Sequence, residues 1–466
     1  FRDMERNILA EVTKRKNSVI CLGGGTLLTE INRSLAESHG ILICLRASET
    51  NISARLKNNN DRPLLQNGQA ESSSIGVLLA ERKAHYDSFD LQLNTNDSDL
   101  DVLAKQIVEE LMPWHHIVTT NTGGYPLILG VKALTYLTSM LNNYGLPKPD
   151  LIVTDTNIAP LWGNNLGQQL SIPVLSIPDG ESQKTLEAVS KIYDQFLLHD
   201  LDRSSLILAV GGGVVGDIAG FAAATYMRGM RWVNIPTTLL SMIDASIGGK
   251  VGVDLPQGKN MIGAFYQPKL VIIDLDTLQT LPKKEFRAGL AEVVKYGVIA
   301  DAELFTFLEN KAEDILSLKS ACLEYIIETS CAIKARVVEK DEYESRHRMI
   351  LNFGHTFGHS IETLTNYTKY LHGEALSIGM VQAASLSVET GLCNEDVLIR
   401  IKNLLKKFGL PIHPPDLKTE DIIQSMYQDK KTTHNKLRLI LVKAIGSVEI
   451  VDNVSEIPIK AVLNKK

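Results

Sequence analysis

The strongest constraint on the fold is a glycine string, Gly211-Gly212-Gly213-Val214-Val215-Gly216-Asp217, which follows directly on the apolar run LILAV at 206–210. A strand that ends in G-x-G-x-x-G and runs on into helix-compatible sequence is the first turn of a strand–helix unit. Such units build a parallel sheet with helices on its faces. Further short β-branched runs at Pro126–Leu129, Leu151–Val153, Val233–Ile235 and Leu270–Ile273, with helical patterns between several of them, predict the neighbouring strands. Glycines in the turn let backbone amides approach a pyrophosphate at the N-terminus of the next helix. The acid expected about 20 residues downstream in the standard dinucleotide fold is missing. Asp155, which ends the earlier run LIVTD, is the alternative holder of a ribose hydroxyl. The expectation is a nucleotide site that departs from the standard arrangement, although a tight turn alone gives the same string.

The 466 residues allow roughly two to four domains. Residues 1–112 read as an opening helix, apolar strands at Val19–Leu22 and Ile41–Leu45, a polar loop over 56–74 and two further helical patterns. Residues 113–280 carry the alternation described above. From about Leu281, long 3.6-residue patterns such as Lys283–Val298 and Lys319–Val338 predict a mostly helical domain over 281–466. A late pair of runs, Leu437–Val442 and Val448–Val451, predicts a hairpin. Lys and Arg total 48 against 54 Asp and Glu, a net charge of −6, which argues against nucleic acid or an anionic membrane as partner. No run of about 18 apolar residues predicts a membrane span. Five cysteines, widely spread and without a C-x-x-C pair, fit a reduced, cytoplasmic protein.

The helical region holds a second constellation. His355 and His359 are four apart in LNFGHTFGHSIE and share a helix face, and His372 follows in LHGE. Two histidines and a carboxylate form a common catalytic zinc set, and Glu292, on a small-residue face in AGLAEVVKYG, is the candidate third ligand. Two solvated histidines give the same H-x-x-x-H spacing. A third group is cationic: Lys250 and Lys259, in glycine-rich segments that read as turns over a site, with Lys334, Arg348 and Lys430-Lys431. A phosphate or carboxylate substrate accounts for such a set.

From about Ile117 onward these residues resemble the 3-dehydroquinate synthase family. The matching strings are DGESQK (179–184), GGGVVGDIAGF (211–221), YMRG (226–229), PTTLL (236–240), DASIGGK (244–250), GKNMIGAFYQP (258–268), GLAEVVKYG (289–297), RMILNFGHTFGH (348–359) and HGEALSIG (372–379). The resemblance implies a Rossmann-like NAD domain followed by a helical metal-binding domain. It also implies bound NAD and one divalent metal, zinc or cobalt. The substrate would be 3-deoxy-D-arabino-heptulosonate 7-phosphate, turned over by transient oxidation, phosphate elimination, reduction and aldol closure. By motif, Glu292, His355 and His372 would ligate the metal. Asp244, Lys250, Lys295, Lys334, Arg348, Asn352, His359 and Lys430 would line the substrate, with Glu344 and His359 in acid–base roles. Arg228 would reach the phosphate from the neighbouring subunit of a homodimer. NAD contacts would fall on Asp155, Asn157, Glu181, Lys184, Gly213, Val214, Val215, Gly216, Asp217, Thr237, Thr238, Lys250, Lys259, Thr277, Leu278, Gln279 and Thr280.

Residues 1–112 resemble the later part of shikimate kinase, a P-loop kinase-like α/β fragment. Phe1-Arg2 with Glu5, the Gly23-Gly24-Gly25 loop, Arg62 in DRPLL and Arg82 with Tyr86 carry the match and imply shikimate and ATP contacts at Arg2, Gly23, Gly24, Gly25, Arg62 and Arg82. No GxxxxGK[ST] string occurs in the sequence, so kinase activity is expected only if one precedes Phe1. Two other enzyme classes stay open: another sugar-phosphate cyclase, and a metal-dependent polyol or glycerol-phosphate dehydrogenase. A non-catalytic regulator whose first 112 residues bind shikimate is also permitted.

Overall fold

The computed structural model describes residues 2–13, 15, 18–37, 40, 42–56, 72–89, 91–96, 99–111, 114–121, 123–428 and 437–464. The chain divides into two compact units, Phe1–Pro113 and Trp114–Lys466. The first contains helices α1 (Arg2–Val12), α2 (Glu30–Glu37), α3 (Glu49–Leu56), α4 (Ser72–Glu81), α5 (Lys83–Asp87) and α6 (Leu100–Leu111). Its strands β1 (Ile43–Arg46) and β2 (Leu91–Asn94) pair in parallel. The run expected as a strand at Val19–Leu22 is not one: residues 18–23 form no regular element, and Val19 is fully exposed. Among the described residues this run has no ladder partner, and an apolar run gains nothing from an extended backbone whose amides stay unpaired.

The second unit begins with seven strands: β3 (Trp114–Thr120), β4 (Gly123–Gly130), β5 (Leu151–Asp155), β6 (Val174–Ile177), β7 (Leu206–Gly211), β8 (Arg231–Pro236) and, after a separate hairpin, β11 (Leu270–Asp274). They form one sheet in the order β3-β4-β11-β8-β7-β5-β6, parallel throughout except for the β3–β4 pair. All of β7 is buried, and its side chains alternate between two cores. Ile207 and Ala209 join Phe196 and Ile218 on one face, while Leu206, Leu208 and Val210 join Leu137 and Leu141 on the other. Those cores are supplied by α7 (Leu137–Asn143), α8 (Asn164–Leu170), α9 (Leu186–Leu198) and α10 (Gly213–Thr225). Burial on both faces is why the strands read as continuous apolar runs.

The hairpin of β9 (Lys250–Leu255) and β10 (Gly258–Phe265) corrects the expectation that Lys250 and Lys259 sit in turns; both lie on its antiparallel strands. Gly252 and Gly263 pair across it. A Cβ on Gly252 would lie 2.4 Å from the Ile262 carbonyl oxygen, and one on Gly263 2.4 Å from that of Val251. These glycines serve close backbone approach, which a sequence pattern cannot tell from a turn.

After β11 come α11 (Lys283–Ala300), α12 (Ala302–Leu316), α13 (Ser320–Lys340), α14 (His355–Leu364), α15 (His372–Glu389), α16 (Glu395–Lys407) and α17 (Thr419–Gln428). A hairpin of β12 (Arg438–Ala444) and β13 (Ser447–Asp452) and then α18 (Glu456–Asn464) complete the unit. Every residue of α11 from Ala288 to Ile299 is buried, so this helix is enclosed on all sides. The start of α15 is pressed against it: a Cβ on Gly373 would stand 1.9 Å from the Ala288 carbonyl oxygen. Backbone cannot yield as a flexible side chain can. Gly373→Ala is therefore expected to destabilise the fold by about 1–3 kcal/mol or more, read as a lower urea midpoint at unchanged slope.

Candidate active site

Glu292 is the centre of the site. It lies one turn past Ala288 on α11 and has no exposed surface. Its Oε1 is 3.4 Å from His355 Nε2 and 3.5 Å from His372 Nε2. The Lys295 ammonium, three residues on along the same helix, touches Oε2. Neither oxygen has a well-aligned hydrogen bond among the described residues. One carboxylate and two imidazoles therefore offer ligand atoms within 4.8 Å of one another, which is the donor set of a catalytic zinc-type site. A carboxylate buried without aligned donors is itself a sign that a cation belongs there.

Three helices deliver these groups. His355 is the first residue of α14, and His372 the first of α15. Burial pushes the Glu292 carboxyl up, but the Lys295 ammonium and the two imidazoles outweigh it and hold it well below the usual carboxylate range. Burial, with Lys295 beside it, pushes His355 down to about 3, so that ring is a neutral donor. His372 is pushed up to about 10: burial opposes the charge, but carboxylates at both ring nitrogens, Glu292 and Glu362, prevail. A cation at Glu292 takes the place of that extra proton.

A polar network continues from Lys295. The Asp244 carboxylate accepts from Lys334 Nζ at 2.6 Å and from the Tyr296 hydroxyl at 2.7 Å. Burial raises the Asp244 carboxyl, yet Lys334 and Lys295 hold it below its usual range. Burial lowers the Lys334 ammonium to about 8 against the pull of Asp244. Arg348 is 2% exposed, and its Nη1 donates to the Glu342 carbonyl at 2.7 Å. Glu344 contacts the Lys250 ammonium and accepts from Asn352 Nδ2 at 3.2 Å. The segment carrying Glu344 and Arg348 is organised by Asp341. Its carboxylate accepts the backbone N–H groups of Ser345 (2.7 Å), Arg346 (2.8 Å) and Arg348 (3.0 Å) and the Ser345 hydroxyl (2.9 Å).

The glycine string forms the β7–α10 turn, with α10 starting at Gly213. Thr237 Oγ1 nearby is buried without a hydrogen-bond partner among the described residues, while the Thr237 N–H donates to the Gly211 carbonyl. A helix N-terminus with spare donors suits a pyrophosphate. Lys184 is 4% exposed and bridges Asp217 and Asn260, at 2.5 Å to each. Burial raises the Asp217 carboxyl to about 6 despite Lys184. Lys259 pairs with Glu181 at 3.1 Å and lies 4.3 Å from the Tyr367 ring centre. Asp155 Oδ1 accepts the N–H groups of Asn157 (2.8 Å) and Ile158 (2.9 Å) and so shapes its own turn. Thr277 and Leu278 are buried, Gln279 is exposed, and Thr280 Oγ1 accepts from Trp162 Nε1 at 2.9 Å. Arg228 is exposed on a kink where Met227 and Arg228 both have positive φ.

In the first unit, the Tyr86 hydroxyl donates to the Gly24 carbonyl at 2.9 Å, and Thr26 Oγ1 donates to Glu5 at 2.7 Å. The Arg82 guanidinium lies beside Gly25. Arg62, Lys430 and the side chain of Arg2 lie outside the described residues. Motif reading missed Tyr296, Asp341, Glu342 and Glu362. Two of them left a signal: Glu362 sits seven residues after His355, on the face that also carries His359, and Tyr296 sits four residues after Glu292 within GLAEVVKYG.

Residues 1–112 match the shikimate kinase family, residues 174–288 the family described as 3-dehydroquinate synthase N-terminal, and residues 289–432 that described as 3-dehydroquinate synthase C-terminal. The 3-dehydroquinate synthase of Desulforamulus reducens is 49% identical over 354 residues, spanning 75% of this chain and 99% of that protein. Among solved structures, 2-epi-5-epi-valiolone synthase from Streptomyces hygroscopicus subsp. jinggangensis, with NAD+ and Zn2+ bound, is 29% identical at a TM-score of 0.67, covering 73% of this chain and 95% of that one. A 2-deoxy-scyllo-inosose synthase complexed with carbaglucose-6-phosphate, NAD+ and Co2+ is 26% identical at a TM-score of 0.66, covering 76% and 100%. At these identities and coverages, the chain belongs to the 3-dehydroquinate synthase family.

Proposed function

We propose that residues 114–466 convert 3-deoxy-D-arabino-heptulosonate 7-phosphate to 3-dehydroquinate and phosphate, with NAD and one divalent cation, zinc or cobalt, as cofactors. The observation that carries this reading is the Glu292–His355–His372 cluster around a buried carboxylate, set beside the Asp244–Lys334 pair and the buried Arg348. When bound, the cation polarises vicinal hydroxyl oxygens and NAD takes and returns a hydride, so NAD is not consumed.

Glu292, His355 and His372 hold the cation, and the β7–α10 turn with Thr237, Thr238 and Lys184 holds the dinucleotide. Arg348, whose guanidinium is buried, binds the substrate carboxylate in a fixed fork. Lys334 and Lys250 supply positive charge where oxyanions develop, and Asp244 keeps Lys334 aimed. Glu344 and His359 move protons, with Glu344 positioned by Lys250 and Asn352. Burial of Glu292, Lys295, Lys334 and Arg348 keeps water from the inner part of the site, which strengthens the charge interactions there. The working form is proposed to be a cytoplasmic homodimer in which Arg228 of one copy meets the phosphate bound to the other. For residues 1–112, which match the shikimate kinase family, we propose a shikimate kinase-type unit.

With heptulosonate phosphate, Zn2+ or Co2+ and a trace of NAD+, the protein should release phosphate in many-fold excess over NAD+ without accumulating NADH. Stoichiometric NADH would instead mark a dehydrogenase and overturn the cyclase reading. Faster turnover of sedoheptulose 7-phosphate would move the chain to another cyclase reaction. His355→Ala should lose the bound cation and turnover together while retaining NAD+ binding, followed through tryptophan fluorescence. Lys334→Ala should lower kcat by about 10²–10³-fold, measured as steady-state phosphate release.

A further inference from the structure

We infer that Glu362 is a positioning residue for the cation site: its carboxylate holds the His372 ring in the orientation and tautomer that turn Nε2 toward Glu292 and His355. This rests on the ligand assignment proposed above. The His372 imidazole lies between two carboxylates, with Nε2 3.5 Å from Glu292 Oε1 and Nδ1 3.3 Å from Glu362 Oε1. A neutral imidazole has one N–H and one lone pair. A carboxylate can only accept, and both ring nitrogens face one. With a cation held at Glu292, Glu362 is the carboxylate left to accept from the ring, so it fixes the hydrogen on Nδ1 and leaves the lone pair on Nε2, the nitrogen that faces the cluster.

Two further observations point the same way. Glu362 is 6% exposed, and a buried carboxylate needs a partner of this kind. It is also built into the helix that carries a candidate ligand. His355, His359 and Glu362, at i, i+4 and i+7 of α14, share one face, and α15 brings His372 across that face. His355 is oriented differently: its Nδ1 faces the Phe353 carbonyl at 3.3 Å. One ligand thus has a neutral backbone partner and the other a charged one, and the charged partner makes His372 the more basic donor. The competing use of Glu362 is as a ligand itself, since it forms a second triad with His359 and His372. That use claims Nδ1 of the same ring and leaves the fully buried Glu292 with a single imidazole.

The test uses full-length protein stripped of metal and titrated with Co2+ against a chromophoric chelator. Glu362→Ala is expected to weaken the single Co2+ equivalent by about 10–100-fold while NAD+ affinity stays within about twofold of wild type. Glu362→Gln, which keeps an acceptor oxygen of the same reach, should recover part of that loss. In the Co2+-loaded wild type, a paramagnetically shifted N–H proton of His372 should exchange slowly with solvent, and in Glu362→Ala it should vanish. Unchanged Co2+ affinity in Glu362→Ala would overturn the positioning role. Loss of only a second, weaker equivalent would overturn it too, making Glu362 a ligand with His359. If wild-type protein takes up no Co2+, or His355→Ala binds it as wild type does, the ligand assignment fails and this inference falls with it.

Discussion

The candidate site of the second unit is arranged around one buried carboxylate. Glu292 carries a charge into an interior where an unpaired charge is not tolerated. Its compensation comes from three directions: Lys295 on its own helix, His355 at the start of α14 and His372 at the start of α15. Because α11 is enclosed on all sides, that compensation cannot come from water. The same requirement runs outward through Asp244, Lys334 and Tyr296, where each charged or polar group is satisfied by the next. The result is a set of fixed dipoles and charges with little freedom to reorganise, which is the property a site for oxyanion chemistry needs.

Close backbone approach makes this geometry attainable. Gly373 lets the start of α15 touch the backbone of α11 at Ala288, four residues before Glu292, and this sets the distance from His372 to the carboxylate. Gly252 and Gly263 do the same within the hairpin that carries Lys250 and Lys259. Asp341 organises the remaining piece: a single carboxylate gathers three backbone N–H groups and so fixes the segment from which Glu344 and Arg348 project. Asp341 needs no contact with substrate for this. Its pull on those amides also explains why its carboxyl, despite the cost of burial, lies below its usual range.

Much of this was legible in the sequence because it depends on local periodicity. The buried strands β4, β5, β7, β8 and β11 appear as β-branched runs, and α11 and α13 as long 3.6-residue patterns. The histidine pair and the glycine string are local motifs as well. What local pattern could not resolve was of two kinds. Val19–Leu22 reads as a strand but has no ladder partner among the described residues, and the apolar run of β6 (Val174–Ile177) is interrupted by Ser176 and flanked by Pro173 and Pro178. The glycines of β9 and β10 read as turn residues, yet their purpose is cross-strand contact.

The candidate site divides along the same line. The residue types that can hold a cation, cradle a pyrophosphate or meet a phosphate are present as strings, because chemistry restricts which side chains can do these things. Which of them meet is a long-range matter. Glu292 and His372 are 80 residues apart in sequence, and Asp244 and Lys334 are 90 apart. His355 and His359 look equivalent in sequence. Only packing against α11 decides that His355 faces Glu292 and that His372 turns one nitrogen to Glu292 and the other to Glu362. Local sequence was enough to name the parts and most of the elements that carry them, the β9–β10 hairpin excepted. The tertiary structure alone decided the pairings, because they follow from balancing charge in an interior that no local segment can form.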